Sequence, residues 1–342
     1  MGKFRPQELP ILCPTLISVA LCTHNGARFI GEQIRSICRQ SLPPGEIVLS
    51  DDASRDGCVA AAQAALADCL RETPGLDIPM RVLENVPPLG ITRNFSQAML
   101  HCTGDFIALC DQDDVWHPDR LRRMMVAFEQ RPALLLLHTD ARRVDAECSP
   151  LGDSLFHALE VQPWELALIH AGKAFTVFLR RNLVTGATAM FRRSLLADAA
   201  PIPVEWLHDE WLAIVAAAVG EVDALEEELI DYRQHGGNQI GASRDTFLRK
   251  VQMALASRGQ IHHRRAIKAE LLLARLLQIG DRVAAATIDD LRSKVEHQRF
   301  RSQLPASRLA RVLPVLREAS TGRYERFGRG TRGVVRDLFE SV

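Results

Sequence analysis

Short apolar segments alternate with amphipathic ones through about the first 140 residues, and no other feature limits the fold as strongly. Residues 16–22 (LISVALC) and 45–51 (GEIVLSD) read as buried strands, apolar and bounded by polar or turn residues. Between them, residues 27–40 place Ile30, Ile34 and Ile37 on one helical face. An Ala-rich helix follows at 57–70, a strand at 80–85, a Pro/Gly loop (VPPLGI) and a helix at 92–102. DFIALCD makes a fourth strand, and HPDRLRRMMVAFEQ opens a helix with Pro118 near its first turn, where proline is tolerated. LLLLHTD at 134–140 makes a fifth strand. Strict alternation of this kind predicts an α/β layer, a mostly parallel sheet flanked by helices. Such sheets bind ligands beyond the carboxyl ends of their strands. The clusters THNG, DDAS and DQDD all fall there, after the first, second and fourth strands.

Residues 141–243 are mixed, with a helix expected at 207–219 and a strand at 226–232; from 244 the chain reads as helical and basic. The net charge of zero conceals that division. Residues 244–342 carry 21 Lys+Arg against 10 Asp+Glu, so residues 1–243 carry 21 against 32. The basic tail admits three readings: a solvated helical face, a peripheral contact with anionic lipid headgroups of the inner membrane, or a partner-binding module. The tail lacks a nucleic-acid reader motif and the body is acidic, which argues against a nucleic-acid partner. Eight cysteines without a C-x-x-C pair, mostly inside apolar segments, read as free thiols in a reducing compartment. WLAIVAAAVG (211–220) falls short of the roughly 20 residues of a membrane span and reads as a core helix. Pro10 and Pro14 break the apolar start of the chain, so residues 1–13 are expected to form an extension leading into the first strand, not a signal peptide.

The densest chemistry lies in DQDD, where Asp111, Asp113 and Asp114 follow an apolar strand. One aspartate would complement the dipole of the next helix; three repel one another. Mg²⁺ or Mn²⁺ is the natural counter-charge, since hard divalent cations take carboxylate oxygens and leave positions for phosphates. LSDDASRDG suits an Asx turn or helix N-cap at Ser54 or Asp56, with Asp52 an acceptor for the imide N–H of a uracil or thymine base. Arg93 in TRNF, at a helix start, suits base stacking or phosphate pairing as well as plain solvation. WLHDEWLA (206–213) sets Asp209 and Glu210 at a helix start, where an N-capping role and a catalytic role are compatible. YRQHGGNQIG (232–241) puts Arg233, His235 and Asn238 in a Gly-rich loop after a strand. No G-x-S-x-G or comparable serine signature is present.

The ordered set ISVALCTHNGARFIGEQIRSICRQS, EIVLSDDASRDG, GITRNF and GDFIALCDQDDVWHPDRL resembles the inverting nucleotide-sugar glycosyltransferases of family 2, over about residues 14–243. DQDDVW, LHDEWLA and LIDYRQHGGNQIGA make it most similar to bacterial rhamnosyltransferases of O-antigen and cell-wall polysaccharide synthesis. The resemblance implies a GT-A, Rossmann-like domain over 14–243 with a C-terminal helical extension over 244–342. It implies a nucleotide pocket of Thr23, Asn25, Asp52 and Arg93. Asp111 and Asp113 would form the Asp-x-Asp pair that meets ribose and the metal-bound diphosphate, and Asp209 would be the catalytic base. The loop of His235 would close over the donor, the histidine's place after the last strand suiting it to complete the metal shell or hold the diphosphate. His24 stands where the family more often has tyrosine. VTGATAMFRR (184–193), with Gly186, resembles the segment that lines the acceptor side and also reads as a buried strand. The expected activity is inverting transfer of L-rhamnose from dTDP-L-rhamnose to a glycan or lipid-linked glycan, on the cytoplasmic side, with the membrane contact left open. The alternatives are a UDP-hexose donor, or a catalytically silent sugar-nucleotide-binding assembly protein.

Overall fold

The computed structural model describes residues 16–236 and 258–339. The expected N-terminal extension (1–13), Asn238 and the boundary at 243/244 lie outside the described residues.

The N-terminal half alternates as its sequence requires: β1 (Ile17–Thr23), α1 (Ile30–Cys38), β2 (Glu46–Asp51), α2 (Cys58–Glu72), β3 (Met80–Glu84), α3 (Ile91–His101), β4 (Phe106–Cys110), β5 (Val115–Trp116) and α4 (Arg120–Gln130). The chain continues through β6 (Leu134–Val144), β7 (Pro150–Ser154), α5 (Leu155–Ala158), α6 (Pro163–His170), α7 (Ala174–Phe178), β8 (Ala189–Arg192), α8 (Leu196–Ala199), α9 (His208–Val219) and β9 (Glu221–Arg233). Five C-terminal helices follow: α10 (Arg258–Ile279), α11 (Ala285–Ser302), α12 (Arg308–Ser320), α13 (Arg323–Phe327) and α14 (Thr331–Phe339).

The strands form one sheet of order β3-β2-β1-β4-β8-β6-β9-β5, with β7 on β6. Strands β1 to β4 pair in parallel, as the alternation predicts, and β6 pairs with β9 in parallel. The sheet turns mixed where β8 enters antiparallel between β4 and β6, and where β5 pairs antiparallel with β9. Each strand divides its side chains between two cores, as a two-residue period demands. Ile17, Val19 and Leu21 meet α1, α2 and α4 on one face, while Ala20 and Cys22 join α3, α7 and α9 on the other. Phe106, Ala108 and Cys110 likewise face the first core, and Ile107 and Leu109 the second. The next residue, Asp111, therefore leaves the strand on the α9 side.

The C-terminal helices are not a separate body. Leu272 and Leu276 of α10, Ile288 and Leu291 of α11 and Phe327 of α13 belong to the same core as α7 and α9. Trp206 donates its indole N–H to the Lys268 carbonyl at 3.1 Å. A fully buried carboxylate, Asp337 of α14, ties the set together. It accepts two bonds from the Arg301 guanidinium at 2.7 and 2.9 Å and a third from the Tyr324 hydroxyl at 2.7 Å. No helix of the described residues is long and apolar enough to cross a membrane. Cys22, Cys38, Cys58, Cys69, Cys102, Cys110 and Cys148 are free thiols.

Removing one partner of a buried ion pair leaves the other charge uncompensated, so Asp337→Ala is expected to cost about 3–5 kcal/mol, read as a lower denaturation midpoint. A change below about 1 kcal/mol would show that Arg301 finds another partner. His138 gives a second expectation. It is buried in β6 with neither ring nitrogen hydrogen-bonded, and burial lowers its pKa to about 4. The unfolded imidazole titrates near about 6.5. Between these values the unfolded state binds the extra proton, so the histidine destabilises the fold progressively as pH falls through that window. The stability of His138→Leu relative to the parent should rise by about 1 kcal/mol per pH unit between about pH 6.5 and pH 4 in chemical denaturation; a flat difference would contradict a neutral buried His138.

Candidate active site

Beyond the carboxyl ends of β1, β2 and β4 the chain opens a cleft of about 1470 Å³. Its floor is built by loops that hold one another. After β1, Thr23 donates its hydroxyl to Asp51 at 2.7 Å, and Asp51 also binds the Ser54 N–H and hydroxyl. Asn25 adopts a left-handed φ of 51°, a conformation asparagine tolerates better than most residues. It takes a hydrogen bond from the Arg55 N–H at 2.9 Å and donates its own N–H to Ser54. His24 is exposed beside it, with Nδ1 2.6 Å from the Asp52 carbonyl. Asp52 itself is buried and accepts the N–H groups of Leu89 and Gly90 at 2.5 and 2.9 Å, fixing the Pro/Gly loop that leads into α3.

Gln112 locks the β1 and β4 loops to each other. Its side-chain oxygen accepts from the His24 N–H at 2.7 Å, and its amide donates to the His24 carbonyl at 3.1 Å. A Cβ on Gly26 would lie 2.2 Å from that Gln112 oxygen, so only glycine permits the approach. The sequence offered no sign of this bond, since a half-buried glutamine between two aspartates has no local signature.

Asp111 reaches the cleft from the α9 side of the sheet. Burial, then the charges of Asp113 and Asp209, push its pKa up to about 7. Burial, then the charges of Asp113 and Asp111, hold Asp114 well above the ordinary carboxylate range. Its Oδ2 is buried without a hydrogen-bond partner, while Oδ1 accepts the Arg233 N–H at 3.0 Å. The Arg233 guanidinium donates to the carbonyls of Asp113 and Ala146 at 2.7 and 2.5 Å and pairs with Glu32. Buried Arg120, stacked 3.9 Å over Trp116 and with its pKa lowered to about 10 by burial, adds positive charge near Asp114. His235 sits 4.6 Å from the Phe29 ring, with Nε2 2.8 Å from Asp113 Oδ2.

Asp209 occupies the first turn of α9. Its Oδ2 accepts the Gly186 N–H at 2.9 Å and its Oδ1 the Glu210 N–H at 2.7 Å. Burial raises its pKa despite those bonds and despite Lys268. The VTGATAMFRR segment divides as expected: Ala189–Arg192 is buried strand β8, while Thr185 and Gly186 line the cleft. Behind Asp209, His208 stacks on Phe95 with centroids 3.9 Å apart, and burial lowers its pKa to about 3. The neighbouring Glu210 is engaged elsewhere, 2.5 Å from the Lys268 ammonium. The thiols of Cys22 and Cys110 are raised well above their usual pKa, chiefly by burial, and are inert as nucleophiles.

Thr23, Asn25, Asp52, Asp111, Asp113, Asp209 and His235 thus line one cleft. Arg93 does not. It is exposed on α3, whose inward face carries Asn94 and Phe95, so the helical phase turns Arg93 outward. The largest departure concerns the tail. Arg265, Lys268, Lys294, Arg329, Arg332 and Arg336 line the same cleft as the aspartates. Several charges expected on a solvated or membrane-facing surface therefore face the site.

The family model described as "Glycosyl transferase family 2" matches residues 18–199, more than half of the chain. An uncharacterized glycosyltransferase of Nostoc sp. is 26% identical over 231 residues, which is 65% of this chain and 66% of the relative, just under two thirds of its length. Among solved structures, S. aureus TarS 1–349 in complex with UDP-GlcNAc superposes with a TM-score of 0.56 at 16% identity, covering 83% of this chain and 72% of that one. The mannosyltransferase PcManGT of Pyrobaculum calidifontis, in complex with GDP-Man and Mn²⁺, superposes with a TM-score of 0.50 at 17% identity, covering 93% and 79%. The shared architecture is the GT-A fold, here with a C-terminal helical region. With the matched domain over its N-terminal half, the chain belongs to glycosyltransferase family 2.

Proposed function

We propose that the protein is an inverting, divalent-metal-dependent glycosyltransferase that moves L-rhamnose from dTDP-L-rhamnose to a hydroxyl of a glycan or lipid-linked glycan. The observation that carries the reaction type is Asp209: a half-buried carboxylate lining the cleft, oriented by the Gly186 and Glu210 N–H groups, its pKa raised by desolvation. The donor's sugar and base rest on the motifs DQDDVW, LHDEWLA and LIDYRQHGGNQIGA. TarS and PcManGT, in complex with UDP-GlcNAc and GDP-Man, support a nucleotide-sugar donor of some kind.

The acidic floor fits a divalent cation. Asp114 Oδ2 is an orphaned buried oxygen, and Asp113 offers a carboxylate beside the His235 imidazole. Among the described residues no three side chains converge to hold an ion unaided, so diphosphate oxygens would supply the remaining ligands. When bound, the cation neutralises charge developing on the departing diphosphate. The protein's own part is proton transfer and placement. Asp209 takes the proton of the acceptor hydroxyl as that oxygen attacks the anomeric carbon from the face opposite the diphosphate. The sugar–diphosphate bond breaks, its electron pair leaves with the diphosphate, and the configuration inverts. The Gly186 and Glu210 N–H groups orient the carboxylate, and each oxygen keeps a lone pair for the incoming proton. Glu210, held by Lys268, is the weaker candidate for this role.

Asp209→Asn is expected to lower kcat by about 10²–10⁴ while nucleotide-sugar affinity stays within about twofold. Unchanged turnover would remove Asp209 as the base. In the parent, the acid limb of kcat should lie above the roughly 3.9 of an ordinary aspartate, because burial raises this pKa. Asp113→Ala should weaken nucleotide binding in Mn²⁺ by about tenfold or more, and retained metal-dependent affinity would sink the metal assignment.

A panel of nucleotide sugars with Mn²⁺, scored by thermal shift, tests the donor. Ligand at about 100 times its Kd stabilises by about 2.7 kcal/mol, so dTDP-L-rhamnose should give the largest shift. A larger shift with UDP-glucose or UDP-galactose would replace the rhamnosyl reading with the UDP-hexose one. Binding without turnover of any donor would favour a silent assembly protein.

A further inference from the structure

The cleft is larger than one substrate needs. At about 1470 Å³ it exceeds the roughly 300–1,000 Å³ of pockets that take a single small ligand. The two ends also differ in sign. Asp111, Asp113 and Asp209 form the floor, and the C-terminal helices supply another wall.

That wall carries more positive charge than the protein neutralises. Among the described residues Lys268 has a carboxylate, Glu210, and Arg301 has Asp337. Among the described residues Arg265, Arg329 and Arg332 have no ion pair, and the Lys294 ammonium donates only to the Leu179 carbonyl, at 2.6 Å. Of the lining carboxylates outside the floor, Glu165 belongs to Arg181, while Glu160 and Glu325 are exposed at the rim. Like charges also stand close enough to be felt. Burial and then Lys268 and Arg265 lower Lys294 to about 8, and burial and then Arg301, Arg336 and Arg329 lower Arg265. Repulsion of this kind is held in place by the Asp337 clamp, which fixes α14 against α11. Uncompensated guanidinium groups on a rigid frame match the geometry of phosphate oxygens.

We propose that Arg265, Lys294, Arg329 and Arg332 form an acceptor subsite that binds a phosphate group carried by the acceptor, away from the hydroxyl presented to Asp209. This rests on the transferase reading and names the class of its second substrate: a phosphorylated glycan or glycolipid, not a neutral sugar. The Glu210–Lys268 pair marks the border between the two halves, one residue from the base.

The test is calorimetric titration of the full-length protein with geranyl phosphate, inorganic phosphate and geraniol, the donor subsite being filled with dTDP and Mg²⁺. Geranyl phosphate is expected to bind, at least tenfold more tightly than geraniol, and to weaken as NaCl is raised from about 50 to 300 mM. Arg329→Ala/Arg332→Ala should weaken it about tenfold or more and leave dTDP affinity unchanged. Both side chains are exposed, so this variant should fold; Lys294→Gln offers an independent second removal of charge. Inorganic phosphate binding as well as geranyl phosphate would point to phosphate within a polymer, and tighter geranyl phosphate to a lipid-borne group; either supports the subsite. Geraniol binding equally well, or no effect of the arginine variant, overturns it. Loss of dTDP or nucleotide-sugar binding in the unaltered protein would instead defeat the transferase reading itself.

Discussion

Mutual repulsion of carboxylates at the carboxyl edge of the sheet is the constraint on which the rest of the site depends. Asp111, Asp113 and Asp114 fall within four residues, and Asp209 approaches them from α9. A chain would relieve that crowding by moving the loop, and three bonds from one residue prevent it. Arg233 gives its N–H to Asp114 and its guanidinium to the Asp113 carbonyl, and pairs with Glu32 beyond. The same residue ends β9, whose antiparallel pairing with β5 sets Val115 opposite Asp231 and Trp116 opposite Ile230. A two-residue strand thus determines where three carboxylates point. The residual strain appears as raised pKa values at Asp111 and Asp114 and as an oxygen with no partner. Such features gather where a protein is completed by a ligand.

The second constraint is the junction between the domain and its C-terminal helices. Apolar side chains of α10, α11 and α13 share a core with α9, so the helix that carries Asp209 is packed from both sides. Lys268 lies at that junction, 4.4 Å over the Trp206 ring and bonded to Glu210. The division of charge along the chain therefore becomes a division within one cleft, lined by acidic strand ends and basic helices. Neutrality overall is the sum of two halves that each hold substantial fields.

What was legible in the sequence was local. Ile30, Ile34 and Ile37 lie on one face of α1 because a helix repeats every 3.6 residues, and they sit in the core as that spacing requires. Polar clusters at the ends of β1, β2 and β4 meet because parallel strands align their carboxyl ends. Features that depend on distant pairing were not legible. The antiparallel entry of β8 and the two residues of β5 have no periodicity long enough to register. Gln112 and Arg120 act through contacts with His24 and Ala187, which no spacing announces. The family resemblance placed Arg93 in the pocket, but one residue of helical phase, about 100°, turns it to solvent. For the basic tail, composition reports charge without direction, so that part of it lines the cleft was not legible.

Asp209 and Glu210 condense the problem. They are adjacent, both acidic, and both in the first turn of α9, so helix-dipole arguments treat them alike. Their surroundings separate them. Glu210 is bonded to the Lys268 ammonium at 2.5 Å, so its carboxylate is already occupied. Asp209 has two backbone N–H groups and no ion pair among the described residues, and desolvation raises its pKa. A base must be able to accept a proton, and desolvation readies Asp209 to do so, whereas Glu210 is occupied by the Lys268 ammonium. The distinction lies in a lysine 58 positions along the chain, on α10. The C-terminal helices accordingly bear on the chemistry as well as on the acceptor: by neutralising Glu210 they leave Asp209 as the one first-turn carboxylate of α9 without an ion pair.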